Sequence, residues 1–273
     1  MLAPLLPARA QPSASATGST LSIGVLPNVS ARLLVTQYQP MREFFESQLG
    51  RGVEIVTAAD FRAFNERTLR GDYQLVVTAA NLGRLAQIDA GWQPIAIYEP
   101  RIPALLVAAA DNPDSGTAQL RGKALAAANP QSLVALLGLQ WLRAQGLQAG
   151  TDFRLLLTAN DDSLGAVLRN GEAPLAIMSR GEFAAKPEAL RSQLRIVTEV
   201  GRVPGFLVLA NPKLPESERQ RLKSVMLGFS GSEEGRRFFS VTGFQQIREV
   251  TEAELKSMDV YLDPTRRGLA GRE

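Results

Sequence analysis

Two residue types are missing altogether from the 273 residues: there is no cysteine and no histidine. Without cysteine there can be no disulfide, no thiolate nucleophile, no lipoprotein-type anchor and few of the usual zinc sites. Without histidine the Ser-His-Asp and Cys-His catalytic arrangements fall away, and with them the commonest general base. Aromatic residues are few, at 6%, and the formal net charge is only +3. Lysines and arginines are scattered rather than blocked, so no nucleic-acid surface is expected. No GxxxxGK[ST] loop, GxGxxG turn or EF-hand loop occurs, and no cofactor is expected. After residue 20 no stretch reaches the ~18 uninterrupted apolar residues of a membrane span.

What the chain has is the material for a sizeable core: 45% hydrophobic and 21% charged residues. The length suits two lobes of about 100–150 residues each. The opening residues, MLAPLLPARAQ, join a short apolar stretch to Ala8-Arg9-Ala10, a small-x-small step of the kind that precedes signal-peptidase cleavage. Residues 1–10 are therefore read as the remnant of a signal peptide, with a truncated or misassigned start. Residues 11–20 (QPSASATGST) form a flexible lead-in.

From residue 21 onward, short apolar runs alternate with amphipathic stretches, the pattern of an α/β protein. Residues 21–26 (LSIGVL), 53–57 (VEIVT), 73–77 (YQLVV), 94–98 (PIAIY) and 104–109 (ALLVAA) read as strands. A helix runs to Leu49 with Met41, Phe44, Phe45 and Leu49 on one stripe, stopped by Gly50. A second set follows: strands at 124–128, 153–157, 175–178, 194–198 and 206–210, and an apolar helix at 133–145. Helices at 216–229, 233–241 and 252–261 close the chain. Two lobes result, the first from residues 21–107 and 206–273, the second from 108–205. They are joined by crossings near 107–111 and 201–206.

In open parallel sheets, ligands sit beyond the carboxyl ends of strands, where helix N-termini offer free N–H groups and a favourable dipole for anions. Four strand-to-helix turns carry such chemistry: Pro27-Asn28-Val29-Ser30, Thr78-Ala79-Ala80-Asn81, Asn129-Pro130-Gln131-Ser132 and Asn160-Asp161-Asp162-Ser163. Each also reads as simple helix capping. The candidate ligand residues taken from them are Asn28, Ser30, Thr78, Asn81, Ser132 and Asp161. Arg101, between Pro100 and Pro103, sits on a stiff loop after a strand and offers a bidentate fork for carboxylate or phosphate. Ser179 and Arg180 repeat that arrangement more weakly, and Phe61 and Tyr98 supply apolar surface.

The order and spacing of several short motifs resemble the phosphate/phosphite/phosphonate-binding (PhnD-like) proteins of ABC transporters. They are residues 21–26 followed by Pro27, Ala59-Asp60-Phe61, the step Arg70-Gly71-Asp72-Tyr73-Gln74-Leu75, Gln119-Leu120-Arg121-Gly122-Lys123, Asn129-Pro130-Gln131-Ser132 and Val203-Pro204. The similarity covers roughly residues 20–245. It implies a type II periplasmic-binding fold of two α/β lobes with the ligand between them, and a non-enzymatic monomer that delivers a small molecule to a membrane permease. A ligand-sensing input to a sensor kinase, or an enzyme on the same fold, are the alternatives. The departures concern the ligand. Of the family's Ser-Thr-Ser loop only Ser132 is kept, followed by Leu133-Val134. The family's histidine falls near Asp161, and its acidic positions for an amino group fall near Pro174 and at Gly205. The implied ligand is another small anion, or a more apolar molecule fitted to Leu133, Phe61 and Tyr98.

The cleavage reading carries its own test. With the upstream coding sequence restored, the exported protein is expected to begin at or near Gln11. N-terminal sequencing that finds an uncut chain in the cytoplasm contradicts it.

Overall fold

The structure, a computed structural model, describes residues 20–113, 116–158 and 161–271, and of residues 161 and 162 the backbone alone. The signal and lead-in readings at 1–19 lie outside the described residues.

Two sheets divide the chain. The first half supplies β1 (Leu21–Val25), α1 (Ala31–Leu49), β2 (Val53–Val56), α2 (Phe61–Arg70), β3 (Leu75–Thr78), α3 (Ala80–Ala90), β4 (Gln93–Glu99) and β5 (Ile102–Ala109). Next come β6 (Ala124–Ala127), α4 (Leu133–Ala144), β7 (Arg154–Leu157), α5 (Asp161–Arg169), β8 (Leu175–Ser179), α6 (Arg180–Ala184), α7 (Glu188–Arg191) and β9 (Leu194–Val203). The chain then returns through β10 (Leu207–Ala210), α8 (Glu216–Phe229), α9 (Glu233–Thr242), β11 (Gln246–Arg248), α10 (Glu252–Lys256) and α11 (Leu262–Leu269). The first sheet has the order β11-β4-β10-β3-β1-β2 and the second β7-β6-β8-β5-β9. In each, the strands followed by helices pair in parallel: β2, β1 and β3 in one, β7, β6 and β8 in the other. Strands β10 and β5 run antiparallel to them and carry the chain between sheets. With two such sheets the chain has the type II periplasmic-binding fold.

The change of sheet differs from the sequence reading at one end. The outward crossing lies between Glu99 and Ile102, not at 107–111: Val107 sits inside β5, paired with Ala176 and Ile196 of the second sheet. The uninterrupted apolar run 104–109 contains no turn residue, so the sequence reading places the boundary at its far end. The turn that matters is the Pro100-Arg101 step before it. The return crossing, between β9 and β10, falls at 204–206. Two short C-terminal elements also escape the sequence reading. β11 is three residues long, the segment read as one helix at 252–261 breaks into α10 and a 3₁₀ turn at Asp259–Tyr261, and α11 follows beyond it. Pro264 marks no break, because it sits in the first turn of α11, where a missing N–H costs nothing.

One apolar cluster under the first sheet is dominated by aromatic rings. Phe238 meets Tyr38, Tyr98, Phe229 and Phe239 at centroid distances of 5.2, 5.9, 5.5 and 5.5 Å, mostly edge to face. Another runs across both sheets, from Leu26, Phe61 and Phe64 to Leu125, Leu133 and Ile177. Gly205 is the tight point of the return crossing: a Cβ there would overlap the carbonyl oxygen of Tyr98. No side chain fits at this position, which is why the acidic residue of the family's pattern has no counterpart here. Gly205→Ala is expected to cost about 1–3 kcal/mol through forced backbone movement. A fall in the urea midpoint at unchanged m-value checks it.

Candidate functional site

The carboxyl ends of β1, β3, β6 and β8 point to one region between the sheets, and a cavity opens there. The space it encloses is small, about 50 Å³, and reaches about 430 Å³ only when the open solvent at its mouth is counted. Leu26, Phe61, Ile102, Leu133, Val134, Val203, Pro204 and Phe206 make its walls apolar, and Asn28, Ser132, Ser179 and Glu182 supply the polar side chains. A smaller hollow of about 10 Å³ adjoins it in the second lobe, lined by Asn129, Ser132, Val134 and Glu182 with Ala127, Ala128, Ala135, Ile177 and Met178.

Two helices present their N-termini here in different states. At α4, the Ser132 hydroxyl accepts from the N–H of Ala135 at 3.1 Å. The N–H groups of Leu133 and Val134, in the same first turn, have no intrahelical partner. At α3 the capping position is Ala79, which has no side-chain acceptor, and Ala79 and Ala80 line the cavity. An uncapped helix end at a cavity leaves N–H groups for a ligand or water to satisfy. α2, by contrast, is closed by Asp60, whose carboxylate accepts from Ala63 N–H at 2.7 Å.

Glu182 is the charged group of the cavity. Ser179 and Glu182 cap α6 reciprocally: the carboxylate accepts from Ser179 N–H at 2.5 Å, and the Ser179 hydroxyl accepts from Glu182 N–H at 3.0 Å. Burial raises the carboxyl above its usual range, against the opposing pull of the Ser179 hydrogen bonds and the buried Lys186 ammonium. No lysine or arginine lines the cavity among the described residues.

Of the residues predicted from sequence, the structure brings Asn28, Phe61, Ser132 and Ser179 to the cavity. The others lie elsewhere. Tyr98 is fully buried in the aromatic cluster, its ring edge-on to Phe238 and Phe244, because β4 is flanked on both sides and its alternate residues face that core. Arg101 lies in the outward crossing and donates to the carbonyl of Arg202 at 2.9 Å. Arg180 pairs with Glu199 at 3.6 Å. Ser30 is exposed and makes no capping bond. Thr78 is buried with its hydroxyl unpaired, and Asn81 is turned to Gln131 and Thr265. Asp161 opens α5, but its side chain lies outside the described residues, as does Asn160. Glu182 was missed, although Ser179-Arg180-Gly181-Glu182 after an apolar run spells a capping box.

Comparison with known proteins gives one consistent result. The family profile described as ABC transporter, phosphonate, periplasmic substrate-binding protein matches residues 23–255. A Prochlorococcus marinus protein in complex with methylphosphonate is 13% identical, with a TM-score of 0.81 over 91% of this chain and 98% of that one. A binding component of a phosphonate ABC transporter from Pseudomonas aeruginosa, also 13% identical, has a TM-score of 0.79 over 93% and 89%. The periplasmic aliphatic sulphonate-binding protein of Escherichia coli is 16% identical, with a TM-score of 0.66 over 93% and 94%. The sensor-input alternative gains no support from these matches.

The position of Arg101 reverses the expectation that it grips a ligand. Arg101→Ala is expected to leave the affinity for any bound anion within about twofold, as for exposed substitutions away from a site. Isothermal titration that finds a tenfold or larger loss returns Arg101 to the cleft.

Proposed function

The chain belongs to the phosphonate-binding family of periplasmic substrate-binding proteins of ABC transporters, and from that premise we propose that its cleft captures a small molecule with a singly charged anionic head and an apolar remainder. The observation that carries this reading is the cavity's charge balance. The donors available at the cavity are main-chain N–H groups of α3 and α4, the Asn28 amide and the Ser132 and Ser179 hydroxyls, which attract an anion through partial charges rather than a full positive charge. Among the described residues, the one ionisable lining side chain is the carboxyl of Glu182. A doubly charged head would meet that carboxylate with no lysine or arginine among the described lining residues, and with the buried Lys186 ammonium offsetting only part of the repulsion. A hydrogen phosphonate or a sulfonate suits the site better. Leu26, Phe61, Leu133, Val203 and Phe206 would take its alkyl group. The protein would act as a monomer in the periplasm, after removal of the signal segment at Ala10, and pass its ligand to a membrane permease.

Glu182 makes the reading testable. An anion beside it raises its pKa further, so binding takes up a proton. Affinity is then highest below the pKa of Glu182 in the free protein. It falls by up to about tenfold per pH unit as pH rises toward the pKa in the complex, then levels off. Methanesulfonate carries no titrating group in this range and isolates the effect. Glu182→Gln keeps the acceptor for Ser179 N–H and removes the charge. It is expected to flatten the pH profile and to bind methanesulfonate more tightly than the wild type at pH 8. Titration calorimetry reads both. An unchanged slope in the variant assigns the proton elsewhere, and weaker binding by the variant at every pH points instead to a ligand carrying a cationic group.

A further inference from the structure

The residue before Ser132 is held from the opposite lobe at two points. Gln131 belongs to the second lobe, in the turn between β6 and α4. Its carbonyl accepts from the side-chain amide of Asn81, on α3 of the first lobe, at 3.1 Å. Its own side-chain amide donates to the carbonyl of Gly268, on α11, at 3.2 Å. Asn81, completely buried, also donates to the hydroxyl of Thr265 on α11 at 2.8 Å. Asn81, Gln131 and α11 thus form one closed hydrogen-bonded node.

α11 itself is fastened to the first lobe. Arg266 pairs with Asp89 near the end of α3 at 2.8 Å, and the 3₁₀ turn before α11 is tied by Asp259 to Arg84 of α3 at 2.7 Å. Gly268 lets the strap and the second lobe approach closely: a Cβ there would lie 2.9 Å from Cγ of Gln131.

We propose that the C-terminal helix α11 is a closing strap: anchored on α3, it takes hold of Gln131 when the lobes shut and thereby positions the Ser132 turn at the mouth of α4. The inference rests on the two-lobed capture reading, because it needs the lobes to part. Gln131 and Thr265 are positioning residues and touch no ligand.

The absence of cysteine from the sequence allows a clean test. A Cβ at residue 268 would sit 3.8 Å from Cβ of Gln131, inside the ~3.5–4.5 Å range of disulfides. The double variant Gln131→Cys, Gly268→Cys can therefore be locked by oxidation. Without ligand, small-angle scattering is expected to give a smaller radius of gyration for the oxidised than for the reduced double variant. Gly268→Leu, which drives Gln131 off the strap, should give the largest radius of all and weaken methylphosphonate binding about three- to tenfold by depopulating the closed form. Identical radii for all three overturn the strap. Labelled methylphosphonate then separates the two readings. Loaded before oxidation it should be retained through gel filtration and released by reductant. If the radii differ as expected but the oxidised protein exchanges methylphosphonate freely, the strap stands and the capture reading fails.

Discussion

An uncapped helix end facing an apolar cavity is the constraint on which the rest of this structure depends. The first turn of an α-helix leaves N–H groups without intrahelical partners, and in apolar surroundings each one left unpaired costs on the order of 1–3 kcal/mol. At α3 the chain places Ala79 where a capping side chain would be, and surrounds that end with Leu26, Phe61, Pro204 and Phe206. The site is incomplete by construction. Water or a small polar ligand can complete it, and on the proposed capture reading the lobes part to admit the ligand. The two-sheet architecture, the short crossings and the apolar walls follow as ways of presenting and covering that helix end.

Selectivity then becomes a matter of charge rather than shape. Apolar walls discriminate weakly among small alkyl groups, since a methylene is worth about 0.8 kcal/mol. On the proposed reading, the Glu182 carboxyl beside the anion would discriminate strongly by the number of charges on the head. Glu182 is held there by its own capping duty at Ser179, so it cannot turn away from the cavity without unmaking the start of α6. One residue thus serves local structure and the electrostatics of the cleft together.

The rigid part of the molecule lies on the other side of the first sheet. Phe238 and its ring of aromatic neighbours fix α1, α8 and α9 against β4 and β10, and Phe206 reaches from the edge of that cluster, 5.7 Å from Phe244, to the cavity wall. Gly205, pressed on the Tyr98 backbone, fixes where the return crossing begins. The cavity is therefore seated against this aromatic core, while the node at Asn81, Gln131 and Thr265 joins the two lobes across the cleft.

The sequence by itself determined the alternation of strands and helices, the fold class and the family, because these rest on local periodicity and on the order of motifs along the chain. It also placed Asn28 and Ser132 in strand-to-helix turns and Ser179 at the end of a strand, where the rule of carboxyl ends applies without further knowledge, and Phe61 as apolar surface at the start of a helix. Only the tertiary structure decided the rest. Tyr98 lies near the end of β4 and Arg101 just after it, but which face of β4 meets the aromatic core, and which crossing Arg101 occupies, depends on strand order. Glu182 was legible as a cap and not as a lining residue, since a capping box looks the same at a cleft as on a surface. The break at α11 and its hold on Gln131 join residues 137 apart in sequence, and no periodicity carries information over that distance; only packing does.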